Sequence, residues 1–443
     1  MTSPVTPTTA PPYESIAAFR AHTRAHQDML EWCAKRIDAL NGHLNALREV
    51  HHPPISANEG PLRGVPITVK DNIGVTGFET WAGTAAALPP RWAESGELIE
   101  RLEVAGAVVT SKSHCAEFAF GGSGFNPHHG TPRNPFDPHI HRAPGGSSSG
   151  TAVAVASGMA WIGVGTDTGG SVRVPASLCG CVGFRPTHGR WPTDGILPLS
   201  PLFDDPGIIA RNAADLSLVA AAIDRVNPRA ALTLAGVRFA TVPDQFLSAC
   251  DADVQTAWRR ACRRAGPSVS SMGGAAQRLL QDAFEMLDNG PNTAASNCAR
   301  LIEAELPGWR ERLTPHVSRL LNEHAGVPED IIASRHARVR ELRAEQATLF
   351  GDADFLLCPT CPVSAPAVAM LDNESYYERY SNLLLRYTVF PSLFGCCAVS
   401  LPMGRDTHGI PMGLQIIGRD DDDQRLIACA RTLEAALNDT AAD

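Results

Sequence analysis

Residues 145–171 read GGSSSGTAVAVASGMAWIGVGTDTGGS, two glycine-rich turns with apolar chain between them. Thr151–Ala156 is an apolar, helix-like run and Ala160–Val164 is strand-like. A helix and a strand punctuated by turns form the repeating unit of an α/β sheet. Working toward the N-terminus, Ala107–Thr110 reads as a strand preceded by an amphipathic helix at Glu97–Ala105. Gly64–Lys70 (GVPITVK) is a short buried strand, rich in β-branched residues and ending on a lysine. Residues 14–50 read as helical, with Ile16, Phe19, Met29, Trp32, Ile37, Leu40 and Leu44 near the spacing of one apolar face, until Pro53, Pro54 and Gly60 break the pattern.

Toward the C-terminus the alternation continues to about residue 225 and then changes character. Residues 229–353 are rich in arginine and alanine and read as helices at Val254–Arg264, Ser296–Glu305 and Asp330–Phe350. Strands return at Phe355–Leu357, Ala398–Leu401 and Gly413–Ile417, and a last helix covers Gln424–Leu437. The expected organisation is one α/β domain over residues 1–443. Residues 1–60 form an N-terminal helical segment, 61–228 with 354–443 the α/β core, and 229–353 a helical layer over the sheet.

Composition removes several function classes. With 44% hydrophobic and 19% charged residues in 443, the chain has the make-up of a globular protein and is long enough to bury a core without staples. Lys+Arg 38 against Asp+Glu 47 gives a formal charge of −9, the opposite of a phosphate-binding surface, so nucleic acid is not expected as a direct ligand. The uncharged stretch Ala143–Thr166 is interrupted by glycine and serine, and Met1–Pro12 has neither a basic nor an apolar leader region. A cytoplasmic protein away from the membrane, with its twelve cysteines reduced, is the expectation.

The glycine clusters let the backbone approach a ligand closely, and successive N–H groups in such turns make an anion-binding concavity. Ser171, closing the second turn, would stand beside donors aimed at a developing oxyanion. A phosphate-cradling loop would need a lysine after its glycines, and neither cluster has one. Gly146-Ser147-Ser148-Ser149-Gly150 does satisfy Gly-x-Ser-x-Gly, which would make Ser148 the nucleophile of an α/β-hydrolase-type esterase. A third reading draws on both clusters and on the lysines. Lysine occurs only at Lys35, Lys70 and Lys112, although the chain carries 38 basic residues. Arginine keeps its proton whereas a buried lysine can lose it, so Lys70 at the end of an apolar strand can serve as a base, with Ser147 relaying a proton from Ser171.

At this point a family likeness becomes specific. Gly145–Arg190 resembles the signature segment of the amidase signature family, Gly64–Asn72 its lysine-bearing strand, and Glu117–Asp137 its substrate-side loop. Ser200–Arg211, Cys358-Pro-Thr and Gly409–Gly418 also resemble its pattern. Ser149 stands where the family commonly has a glycine. The resemblance implies a large mixed sheet wrapped by helices and a Ser–Ser–Lys triad. Ser171 matches the nucleophile, Ser147 the bridging serine associated with a cis peptide, and Lys70 the base. The N–H groups of Thr168, Gly169, Gly170 and Ser171 match the oxyanion hole, and Ser148 becomes structural. Arg173 is expected to brace the nucleophile turn through Asp167. Phe120, Gly121, Gly122 and Phe125 fall in the stretch resembling the pocket wall. The implied reaction is hydrolysis of a small-molecule amide or carbamate through an acyl-enzyme, requiring no metal or organic cofactor. The alternative within the family is the glutaminase subunit of a tRNA-dependent amidotransferase, which would need a partner chain; a homodimer is the other assembly left open. His114, His128, His129, His139 and His141 form no compact ligand set, and the Cys358/Cys361/Cys396/Cys397 group, zinc-like in its first spacing, reads instead as a rigid turn at a strand end because of Pro359 and Pro362.

Overall fold

The computed structural model describes residues 14–21, 25–52, 58–266 and 268–439; Met1–Pro12 and the helix-breaking pair Pro53–Pro54 lie outside them. Among these described residues eleven strands form one mixed sheet: β1 (Leu47–Val50), β2 (Pro66–Lys70), β3 (Val108–Ser113), β4 (Ile162–Asp167), β5 (Val182–Arg185), β6 (Asp205–Ala210), β7 (Phe239–Thr241), β8 (Val269–Ser271), β9 (Phe355–Pro359), β10 (Cys397–Arg405) and β11 (Pro411–Gly418). Their order across the sheet is β1-β3-β2-β4-β6-β5-β10-β11-β9-β7-β8. β2 lies parallel to both β3 and β4, the central strands from β4 to β9 alternate antiparallel, and β9, β7 and β8 are parallel again.

The parallel strands β2, β3 and β4 are buried at every position, which is why they read as continuous rather than alternating patterns. Helices cover both faces. The helices that follow the chain are α1 (Ile16–Arg20), α2 (Ala25–Leu44), α3 (Glu97–Val104), α4 (Ser149–Ala156), α5 (Arg173–Leu178), α6 (Ala213–Asp224) and α7 (Ala252–Ala265). They continue with α8 (Gly274–Asp288), α9 (Thr293–Glu305), α10 (Pro315–His324), α11 (Glu329–Ala344), α12 (Gln346–Phe350), α13 (Glu374–Leu393) and α14 (Asp423–Asn438). α2, α4 and α5 pack with Ile209 in one core, whereas α3, α6, α7 and α14 belong to the larger core of the other face. Apolar on every side, α4 is buried along seven of its eight residues. It lies so close to β4 that a side chain at Gly163 would collide with Thr151.

Three elements differ from the sequence expectation. The helical reading of 14–50 ends at Leu44, because Asn45 turns into the left-handed region (φ 51°) and Leu47–Val50 then pairs antiparallel with β3. Asp330–Phe350 is two helices, α11 and α12, joined at Glu345. Residues 229–353 are more than a helical layer: Phe239–Thr241 and Val269–Ser271 extend the sheet beyond β9. Each is only three residues long, too short for an alternating pattern to stand out.

Candidate active site

Lys70 ends β2, and the β2–β4 register sets Val69 opposite Val164. Parallel pairing therefore brings Lys70 level with the end of β4, where Thr166 and Asp167 lead into the second glycine turn. The Lys70 Nζ donates to Thr166 Oγ1 at 2.6 Å and to Ser147 Oγ at 2.8 Å, inside a fully buried shell. Burial pushes this amine down to about 8, while Cys115, Asp167 and Asp204 pull the other way. Asn72 Nδ2 also reaches Thr166 Oγ1, at 3.2 Å.

The first glycine turn carries Ser147 through a cis peptide between Gly146 and Ser147. Its backbone is tied on both sides to one neighbouring segment: Gly146 N–H donates to Gly122 C=O (2.7 Å) and Ala116 N–H donates to Ser147 C=O (3.1 Å). A side chain at Gly146 would press on Gly121 O and Gly124 N, both at 2.5 Å, so this turn admits no other residue type. Ser148 N–H donates to the Ser171 carbonyl at 3.1 Å, stitching the two turns together.

In the second turn Thr168 and Gly169 are half-buried and Ser171 is 7% exposed, so solvent reaches the turn from this side. Among the described residues, the backbone N–H groups of Thr168, Gly169, Gly170 and Ser171 have no hydrogen-bond acceptor in the protein. Four consecutive unpaired donors on an accessible turn are available to an anion. The turn is braced from below by Asp167, whose carboxylate accepts from Val172 N–H (3.1 Å), Arg173 N–H (3.3 Å), Arg173 Nε (3.0 Å) and Arg173 Nη2 (2.7 Å). Burial would raise this carboxyl, but the Arg173 charge and hydrogen bonds, helped by Arg185, hold it well below the usual range. The bracing by Arg173 agrees with the sequence reading. Thr168 Oγ1 donates to Asp204 Oδ1 at 2.6 Å.

Sequence reasoning missed α13. Thr388 Oγ1 donates to the Gly169 carbonyl at 2.7 Å, a side chain at Gly170 would collide with that hydroxyl, and Leu385 lies against both Gly170 and Gly122. The helix thus walls the second turn, although nothing in its local pattern marks it; only the pairing of the two glycines with small and branched partners does.

The proposed pocket residues divide. Gly121 (φ 97°) packs under Tyr377 and Gly122 meets the Ser147 turn, both through the backbone. Phe120 packs with Ala82, Leu88 and the inner faces of α9 and α10, and the Phe125 ring lies tilted against His316 and Tyr377. The esterase alternative finds no support in geometry: Ser148 is fully buried and its Oγ donates to the Thr166 carbonyl at 3.4 Å. Cys358 lies on β9, where Gln415 Nε2 reaches its sulfur at 3.1 Å. Among the described residues no group of three or more His, Cys, Asp or Glu is placed to hold a metal ion, and no helix is long and apolar enough to cross a membrane.

Comparison with known proteins agrees with this layout. A family model described as Amidase matches residues 29–427. The 2-amino-5-chloromuconic acid deaminase of Comamonas testosteroni is 38% identical, covering 85% of this chain and 82% of that protein. Indoleacetamide hydrolase of Agrobacterium vitis is 32% identical over 85% and 84% of the two chains. A glutamyl-tRNA(Gln) amidotransferase subunit from Deinococcus radiodurans is 33% identical over 92% and 93%. A solved structure described as an amidase superposes with a TM-score of 0.80 at 29% identity, covering 93% of this chain and 96% of that one. The chain belongs to the amidase signature family. It is an enzyme of the class that hydrolyses amide C–N bonds.

Proposed function

We propose that the chain hydrolyses a small-molecule amide or carbamate through an acyl-enzyme on Ser171. Ser171 Oγ attacks the carbonyl carbon while its proton passes to Ser147, whose own proton moves to the neutral Nζ of Lys70. The oxyanion is received by the N–H groups of Thr168, Gly169 and Gly170. As the tetrahedral adduct collapses the proton returns through Ser147 to the leaving nitrogen, the C–N bond breaks and the amine departs. Water then attacks the ester, giving its proton to the same relay, and the acid leaves as Ser171 recovers its hydrogen.

One observation carries this reading: a fully buried amine lies 2.8 Å from Ser147 Oγ, and its hydrogen-bond partners are hydroxyls rather than a carboxylate. A salt-bridged lysine would be held charged; one met by hydroxyls in a dry site can exchange its proton. Burial pushes Lys70 down to about 8, toward the neutral form that a base requires. The backbone of Gly121 and Gly122 forms the inner rim of the pocket, with Phe120 and Phe125 supporting it. Residues 229–353 shape the entrance, and the protein works in the cytoplasm.

The test is mass spectrometry after treatment with a fluorophosphonate. The adduct is expected on Ser171 and absent from Ser171→Ala, which also loses amide hydrolysis; an adduct on Ser148, or full activity in Ser171→Ala, overturns the reading. A panel of arylacetamides, enamine acids, carbamates and glutamine then assigns the substrate class. The full-length likeness to one chain of an amidotransferase makes glutamine with copurifying partner chains the competing outcome.

A further inference from the structure

The segment 116–122 holds the Gly146–Ser147 peptide from both sides, through Ala116 N–H and Gly122 C=O. Something must in turn hold that segment, because Phe118 (φ 49°) and Ala119 (φ 61°) both lie in the left-handed region, unfavourable for residues with a Cβ. The anchor is Glu117. Its side chain is 2% exposed, and Oε2 accepts from Thr314 N–H at 3.0 Å and Thr314 Oγ1 at 2.5 Å, while Oε1 meets His128 Nε2 at 2.9 Å. Thr314 is the N-cap of α10 and its side chain makes no cap hydrogen bond; this carboxylate instead accepts the N-cap residue's own N–H and hydroxyl, setting a negative charge at the helix's N-terminal end. Three residues further on, Phe120 is inserted among residues of α9 and α10. The segment that grips Ser147 is therefore bolted to the helical region 229–353, at a point remote in sequence from the reacting groups.

We propose that Glu117 is a positioning residue for Ser147: by gripping the N-cap residue of α10 it fixes segment 116–122, and that segment sets where the Ser147 hydroxyl sits between Lys70 and Ser171. The proposal rests on the relay reading above. Its consequence is that contacts made by α10, within residues 229–353, act on proton transfer as well as on substrate entry.

The experiment compares wild type with Glu117→Ala, Glu117→Gln and Thr314→Val by steady-state kinetics on the best substrate of the panel, with folding checked by circular dichroism. For Glu117→Ala, kcat falls roughly a hundredfold while KM stays within about threefold, since a misplacement of the order of 1 Å costs about that much rate. Glu117→Gln recovers part of the loss, because its amide oxygen still accepts from Thr314. Thr314→Val loses on the order of tenfold in kcat, as expected for one hydrogen bond to a charged group. Should Glu117→Ala fail to fold, Thr314→Val decides alone. Variants with kcat within about twofold of wild type, or losses confined to KM, overturn the proposal. The two readings fail separately: an unlabelled Ser171 in wild type removes the relay, whereas a labelled Ser171 with unaffected variants removes only the role of Glu117.

Discussion

Lys70 and Lys112 stand on neighbouring parallel strands, fully buried, and burial pushes both amines down to about 8. Their surroundings differ. Lys70 meets two hydroxyls, Ser147 and Thr166, groups that accept a hydrogen bond or donate one. Lys112 meets the Ile73 carbonyl at 2.5 Å, Thr80 Oγ1 at 3.0 Å and the Asp71 carboxylate at 3.6 Å, and Asp71 in turn pairs with Arg48 at 3.0 Å. A carbonyl and a carboxylate only accept, and the negative charge of Asp71 favours the protonated form of Lys112. In the relay proposed above, the same residue type at the same depth would carry a proton in one place and act as a fastener in the other, with the partners rather than the burial separating the two roles.

The sharpest break between them is expected from Lys70→Arg. Arginine keeps the charge but cannot release its proton, so kcat should fall roughly a thousandfold or more with the fold retained, measured by kinetics and thermal unfolding. Near-wild-type turnover in Lys70→Arg would erase the distinction. The converse change, Lys112→Met, should cost about 3 kcal/mol of stability by taking the amine away from Asp71 and from the buried Ile73 carbonyl, read as a lowered denaturation midpoint, with kcat per folded molecule little changed. The smallest effect is on pH. Activity should rise as pH passes through about 8, where Lys70 loses its proton in the folded state. Stability carries the matching sign. Below about 8 folded and unfolded chains both hold that proton; between about 8 and the ordinary 10.5 only the unfolded chain does, so this group's contribution to stability grows with pH across that window. Unfolding titrations of wild type against Lys70→Met should diverge there in favour of wild type, and parallel curves would argue that the amine is not depressed.

The catalytic candidates were legible because their evidence is local. A lysine closing a β-branched strand, and serines placed where glycines permit tight turns, can be read from a few consecutive residues. Asp167 and Arg173, six residues apart, likewise meet as the sequence suggests. Other parts depend on partners distant in the chain. β7 and β8 are three residues each and become strands only because β9 offers an edge. The Lys112–Asp71 pair, the Glu117–Thr314 contact and the α13 wall join residues 41, 197 and 219 positions apart respectively (Lys112 to Asp71, Glu117 to Thr314, Thr388 to Gly169), and no local periodicity encodes such pairings.

Taken alone, the amino-acid order specified the alternation of helices and strands, the family, and which side chains can donate, accept or lose a proton, since these follow from residue type and nearest neighbours. Which of two buried lysines faces a carboxylate was settled only by folding: the β2–β4 register carries Lys70 to the hydroxyls of Thr166 and Ser147, while the next strand turns Lys112 toward Asp71, and a proton's affinity is set by what surrounds it in space.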